Sequence, residues 1–299
     1  MDEFVDGVVL WADHCGTSAD LDRLDLPGGQ RFSRDTMYGA RDFWIAEPGA
    51  PADPALWARA LVAFSTSGYW PLLVPDDVVP DDIGGQEWFS NDWGPAGKAD
   101  PAYLAHGADG PFSVIDEPFL AEWEATHTKW RRWDSDAGGK LVSEQDFLTE
   151  FLTGALDVVP SHFHHASPQA TRSRLEPVSM LLSMPQSRIV LVPTTDPSMV
   201  PMVLDWGIAN EELSPGRFAS ALRSWHRRFG VVLTSMQWSF THLQCPAPPT
   251  SDLALDRLAL ELAVWATDSF WQGGITARDG RVKFPRAVVS EPEWTIWWD

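Results

Sequence analysis

The pattern of apolar and polar positions is sharpest between Ser214 and Gln244. Ser214-Pro215 is a helix cap followed by a proline in the first helical position, where the missing N–H costs nothing and the fixed φ suits the helix. Phe218, Ala221, Leu222, Trp225 and Phe229 then recur at three- and four-residue spacing and mark one face. Arg223, Arg227 and Arg228 load the last turns with positive charge, which suits a helix C-terminus, and Gly230 takes the left-handed stop. Residues 231–236 read as a buried strand and 240–244 as its return.

The same device occurs earlier. Asp53-Pro54 opens a helix striped by Trp57, Leu61 and Phe64, Gly68 ends it, and residues 69–75 follow as a strand. Pro71 and Pro75 lack a backbone donor, so this strand is expected at an edge or in short pairing. Further strands are predicted over 5–11 and 188–192, and 42–46 is another short apolar piece. Helices are predicted over 117–133, with Phe119, Trp123 and Trp130, and from Ser143, with Asp146 in a capping-box position and Phe147, Leu148, Phe151, Leu152 and Leu156 inward. A longer helix begins near residue 250, with Leu255, Leu258, Leu262 and Trp265 on one side. The closing run Trp294-Thr295-Ile296-Trp297-Trp298-Asp299 reads as a strand. Together these elements predict an α+β fold: a mixed, mostly antiparallel sheet flanked by helices, in two abutting halves.

Composition and charge place the division. The 299 residues carry a formal charge of −20. Residues 1–157 hold 10 Lys and Arg against 29 Asp and Glu, and residues 158–299 hold 12 against 13. The acid therefore lies almost wholly in an N-terminal, Trp-rich part, 1–157. An irregular linker, 158–186, joins it to a second α+β part, 187–299. Phosphate backbones and anionic membrane surfaces would be repelled, so neither nucleic acid nor a membrane is an expected partner. A basic protein would be attracted. Two cysteines, Cys15 and Cys245, make no disulfide framework and no CxxC. No signal peptide and no apolar run of membrane-spanning length is read, which points to the cytoplasm.

Candidate chemistry is sparse. Residues 83–109 form a long polar stretch containing Trp88, Phe89, Asn91, Asp92 and Trp93. Aromatics beside acids there would make a binding lip for a cationic or sugar-like group; the alternative is that they pin the loop to the core. His162, His164 and His165 are the candidate metal ligands, because imidazoles at alternate positions share a face of a strand. No carboxylate or thiol completes the set within that run, which favours a solvated linker. Asp13-His14-Cys15 places acid, imidazole and thiol consecutively, yet catalytic triads are assembled across space. There is no nucleophile elbow, phosphate-binding glycine loop or zinc-protease helix motif, and no cofactor is expected.

Four places carry a family resemblance. They are Ile189-Val190-Leu191-Val192-Pro193; Leu204-Asp205-Trp206-Gly207 with Asn210; Leu222-Arg223-Ser224-Trp225 with Phe229-Gly230; and the ending Trp294, Trp297-Trp298-Asp299. Residues 187–299 so resemble a bacterial family known as domain of unknown function 4253. The resemblance implies a small bacterial accessory protein, some members of the family resembling immunity or toxin-associated proteins, and it assigns no catalytic or binding residue. Two other classes remain open beside a non-enzymatic binding protein. One is a hydrolase-like enzyme whose acids, such as Asp92, Asp116 or Glu117, meet a histidine in a cleft. The other is an oligomer-forming structural module.

The histidine run yields the first prediction. Tag-free protein, dialysed against chelator and then buffer, should carry substoichiometric zinc and nickel by elemental analysis; one bound equivalent would make His162, His164 and His165 ligands.

Overall fold

The computed structural model describes residues 5–9, 11–36, 38–49, 52–80, 172–175, 186–206, 215–237, 240–250 and 287–297, with single positions at 255, 258, 262 and 266. In chain order these give β1 (Val5–Val9), α1 (Ser18–Arg23), β2 (Gly29–Thr36), β3 (Gly39–Ala46), α2 (Pro54–Ser67), β4 (Tyr69–Pro75), β5 (Arg172–Leu175) and β6 (Ser187–Pro193). A short 3₁₀ turn (Pro197–Met199), α3 (Val200–Leu204), α4 (Pro215–Phe229), β7 (Val232–Met236), β8 (Phe240–Gln244) and β9 (Glu293–Trp297) follow.

Seven strands form one sheet in the order β2-β3-β6-β4-β7-β8-β9, and β1 pairs with β5 in a separate two-stranded sheet. Every neighbouring pair in the larger sheet is antiparallel except β4 with β7. The fold is α+β with a mixed, mostly antiparallel sheet, as the periodicities predict.

The linker expected at 158–186 divides the chain but not this sheet. β6 lies between β3 and β4, so the strand just after the linker is held on both sides by strands that precede it. Its run Ser187–Pro193 is buried throughout, as a strand covered on both faces must be. One continuous core runs from Leu21 through Trp57, Trp70, Ile189, Leu191 and Trp225 to Trp294 and Ile296. Several tryptophans are spent there: Trp44, Trp57, Trp70, Trp206, Trp225 and Trp294 are all buried.

β4 overturns its expected edge position. It is an interior strand, paired along its full length with β6 and touching β7 in parallel at Leu73–Ser235. The neighbour of Pro71 explains how a proline is tolerated: Trp70 Nε1 donates to Leu233 O at 2.8 Å. A β7 carbonyl thus takes its donor from a side chain of the strand whose proline has no N–H to offer. The same indole meets Phe64 of α2 edge-to-face, with ring centroids 5.1 Å apart.

The two helix-to-strand devices form as their sequences dictate. Asp53 caps α2 by accepting from Ala55 N at 2.9 Å, and Gly68 stops it at φ 67°. Phe218, Ala221, Leu222 and Trp225 of α4 are buried, Gly230 takes φ 68°, and Trp225 packs edge-to-face on Trp294 of β9 at 6.0 Å. The helices predicted over 117–133 and from Ser143 lie outside the described residues.

Gly68 does more than stop a helix. Its N–H donates to Phe64 O, and its carbonyl accepts from Gly16 N at 3.1 Å and Thr194 N at 2.9 Å. A Cβ here would run into His14 O and Gly16 N. Gly68→Ala should therefore lose more than the about 1–2 kcal/mol that a left-handed conformation costs an L-residue, since the collision adds to it. Urea unfolding measures this, and a loss under about 0.5 kcal/mol would show that the corner relaxes freely.

Candidate functional site

The densest collection of polar side chains sits at one end of the sheet, where β2 and β6 end and β3 and β4 begin. The chain from Trp11 to Thr17 is laid across this end. Ala12 N donates to Thr195 O, Asp13 N to Ser65 O and Gly16 N to Gly68 O, at 3.0, 3.0 and 3.1 Å. These bonds exist because the ends of strands and helices leave backbone groups unpaired, and an extended segment satisfies them. Trp11 then meets the ring of His226 on α4 at 4.9 Å, edge-on.

Asp20 is the first centre. Its buried carboxylate accepts Thr17 Oγ1 at 2.6 Å and Thr17 N at 3.0 Å, His14 Nε2 lies 3.1 Å away, and Arg23 donates from 2.9 Å. Thr17-Ser18-Ala19-Asp20 is a capping sequence at the start of α1. The Thr17 hydroxyl bond is the main reason the Asp20 pKa falls from 3.8 to about 2; burial opposes it, and His14 and the Thr17 N–H add to the lowering. Asp42 is the second centre. It accepts from Ser18 of α1 and Ser33 of β2, and these two hydroxyls hold its pKa below the usual value. The Asp42 carbonyl accepts the Tyr69 hydroxyl at 3.0 Å. Burial, with Asp42, Cys15 and Asp20 nearby, drives the Tyr69 pKa upward.

Asp196 is the third centre. It caps the 3₁₀ turn by accepting Ser198 N at 2.9 Å and Ser198 Oγ at 2.6 Å, and its other oxygen faces Arg223 Nε of α4 at 3.6 Å. Tyr38, from the β2–β3 turn, feels both charges. Burial raises its pKa, Arg223 opposes that and Asp196 reinforces it. Arg223, whose charge suits the C-terminal part of α4, makes its ion pair with Asp196, in the same C-terminal part of the chain.

Chemically this end holds charges still. Asp20 and Asp42 are each tied by at least two hydrogen bonds, while Asp196 accepts both of its bonds at Oδ1 and turns its buried Oδ2 to Arg223. Cys15 does not complete a triad with Asp13 and His14. It is half-buried, and burial raises its pKa above 9.0 against the pull of Arg41, whereas an active thiol needs a lowered one. The acid that meets His14 is Asp20, six residues on. Among the described residues no group of three or more His, Cys, Asp or Glu could hold a metal ion, and no helix is long and apolar enough to cross a membrane.

Trp88, Phe89, Asn91, Asp92, Trp93, Asp116, Glu117, His162, His164 and His165 lie outside the described residues. The polar end escaped sequence reasoning, although two signals for it exist. Thr17-Ser-Ala-Asp20 is a capping sequence, and Asp196-Pro197-Ser198 repeats the acid-then-proline start of Asp53-Pro54. Neither signal says that the two would lie at the same end of one sheet.

Residues 188–299 match the family model described as "Domain of unknown function (DUF4253)". No curated protein and no solved structure matches the chain. The match begins at Arg188, the first large side chain of β6, and takes in α4, β7, β8 and β9.

The Asp20 arrangement makes a signed prediction. A carboxylate with a lowered folded-state pKa stabilises above its unfolded value of 3.8, and that stability is lost as pH falls towards about 2. Asp20→Asn should cost about 1–3 kcal/mol at pH 7 by urea unfolding, and the gap from wild type should close between pH 4 and pH 2. A gap unchanged at pH 2 would remove the charge from the explanation.

Proposed function

We propose that this is a non-enzymatic binding protein that engages a basic protein partner, in an immunity-type or regulatory role in the bacterial cytoplasm. The observation that carries the reading is the charge distribution: 29 of 42 acidic residues fall within 1–157. Residues 81–157 alone hold 16 acids against 5 bases. The carboxylates of 1–157 that the fold uses for itself, Asp20, Asp42 and Asp53, account for few of them. The remainder form an acidic field that accelerates encounter with a cationic surface and disfavours acidic competitors.

Trp88, Phe89 and Trp93, beside Asn91 and Asp92, supply the kind of anchor that charge alone lacks. Interface energy concentrates in a few aromatic residues, while surrounding charges set rate and specificity. The two free thiols, Cys15 and Cys245, agree with a reducing compartment. Asp20 and Asp42 are held by hydroxyl bonds and burial raises the Cys15 pKa, which favours binding over hydrolysis at this end.

Affinity capture from a bacterial lysate, read by mass spectrometry, tests this. The captured partner should be basic, should elute as salt rises, and should bind at least about tenfold more weakly to a Trp88→Ala/Trp93→Ala variant. Capture of only acidic proteins, or retention indifferent to both salt and the variant, would overturn the reading.

A further inference from the structure

β2 lies at the rim of the seven-stranded sheet, with β3 on one side and no described strand on the other. It is eight residues long and pairs with β3 without a register break, Gly29 with Ala46 through Thr36 with Gly39. A straight, bulge-free edge of this length is what proteins ordinarily cover or disrupt.

The phase of its hydrogen bonds can be read from β3. Asp42 O accepts from Tyr69, and Ala46 O accepts from Arg188, so these β3 residues turn their backbone groups away from β2. In an antiparallel ladder the residues opposite them turn outward too. Ser33 faces Asp42 and Gly29 faces Ala46, so Gly29, Arg31, Ser33 and Asp35 direct N–H and C=O groups to the open rim. No described residue bonds these groups. The side chains of Arg31, Ser33 and Asp35 are also exposed and share one face.

We propose that this rim is the interface between two copies of the chain, β2 against β2 antiparallel about Ser33, giving one continuous fourteen-stranded sheet. The charges select both occupant and register. Centring on Ser33 sets Arg31 opposite the second copy's Asp35 twice, and Phe32 opposite Arg34 on the other face. Centring on Arg31 or Arg34 sets that arginine against itself. Centring on Phe32 puts Arg31 opposite Ser33 and leaves Asp35 facing Gly29. Arg34 is held to Pro80 O at 3.2 and 3.1 Å, and only the Ser33 register joins outward backbone groups with opposite charges. Arg31 already bonds Asp22 of α1, which holds its guanidinium on the exposed face, and Asp35 has no ion-pair partner among the described residues. Repulsion between two chains of −20 each is screened beyond about 8 Å at physiological salt.

Light scattering of the full chain over a concentration series tests the interface. Wild type should reach twice the 33.3 kDa chain mass. Asp35→Arg puts like charges opposite each other twice and should weaken the dimer about tenfold or more. The exchange Arg31→Asp/Asp35→Arg should restore it. Ser33→Pro removes an outward N–H that no described residue bonds, together with the Ser33 hydroxyl bond to Asp42, which Ser33→Ala removes alone; both should stay folded by circular dichroism, and only Ser33→Pro should lose the dimer. If Asp35→Arg unfolds the chain, Ser33→Pro decides alone. A wild type that stays monomeric throughout overturns the proposal, as does a dimer that none of these variants disturbs.

Discussion

Four pieces of chain meet at Gly68, and only a residue without a side chain can stand there. Its carbonyl serves both Gly16 N and Thr194 N, its N–H closes the last turn of α2, and its φ is 67°. The strap from Trp11 to Thr17, the end of α2, the start of β4 and the end of β6 are therefore mutually positioned by one peptide unit. The polar end of the sheet depends on it. His14 and Cys15 lie on the strap, Tyr69 follows Gly68 directly, and Thr194 to Asp196 leave β6 beside it. Gly16 obeys the same constraint, because a Cβ there would enter the Tyr69 ring.

A second constraint acts at the opposite end. Arg188 is buried at the start of β6, where burial pushes its pKa down although Asp76 opposes that shift. Its guanidinium donates to Ala46 O at 2.8 Å through Nε, to Val78 O at 2.6 Å, and again to Ala46 O through its other terminal nitrogen. Taking a charged group out of water costs several kcal/mol, and charge-assisted bonds to carbonyls offset much of that. The arginine consequently ties the end of β3 and the chain after β4 to β6. Asp76 in turn accepts from Gly49 N at 2.8 Å, so the connections at this end are fixed to one another. Both ends of the central strands are closed by buried polar groups rather than by apolar packing, which leaves a unique register for β3, β6 and β4.

The same economy separates the acids by role. Asp20, Asp42, Asp53 and Asp196 cap helix starts or tie strands through hydrogen bonds within the fold. Residues 81–157 carry sixteen further acids. On the proposed reading, these two sets divide between a scaffold and an electrostatic surface. Strand β2, with its outward arginine and aspartate, adds a second and self-complementary surface at the sheet's rim.

Local sequence was sufficient wherever a structural decision is made within a few residues. Asp53-Pro54 and Gly68 bound α2, Pro215 and Gly230 bound α4, and the alternating or continuous apolar runs name β4, β6, β7, β8 and β9, because capping, left-handed stops and burial periodicity act over one or two turns. The α+β class and the mostly antiparallel sheet follow from that list, and the match of residues 188–299 agrees with the resemblance those residues carry. Tertiary structure decided what depends on distant partners. β4 is interior despite Pro71 because Trp70 reaches Leu233, 163 residues away. β6 enters between β3 and β4, so the change in charge near residue 158 marks no break in the sheet. Asp20, Asp42 and Asp196 gather at one end because strand direction and register place them there. Composition and spacing carry no record of such neighbours, since the energy that selects them arises only when the sheet closes over its core.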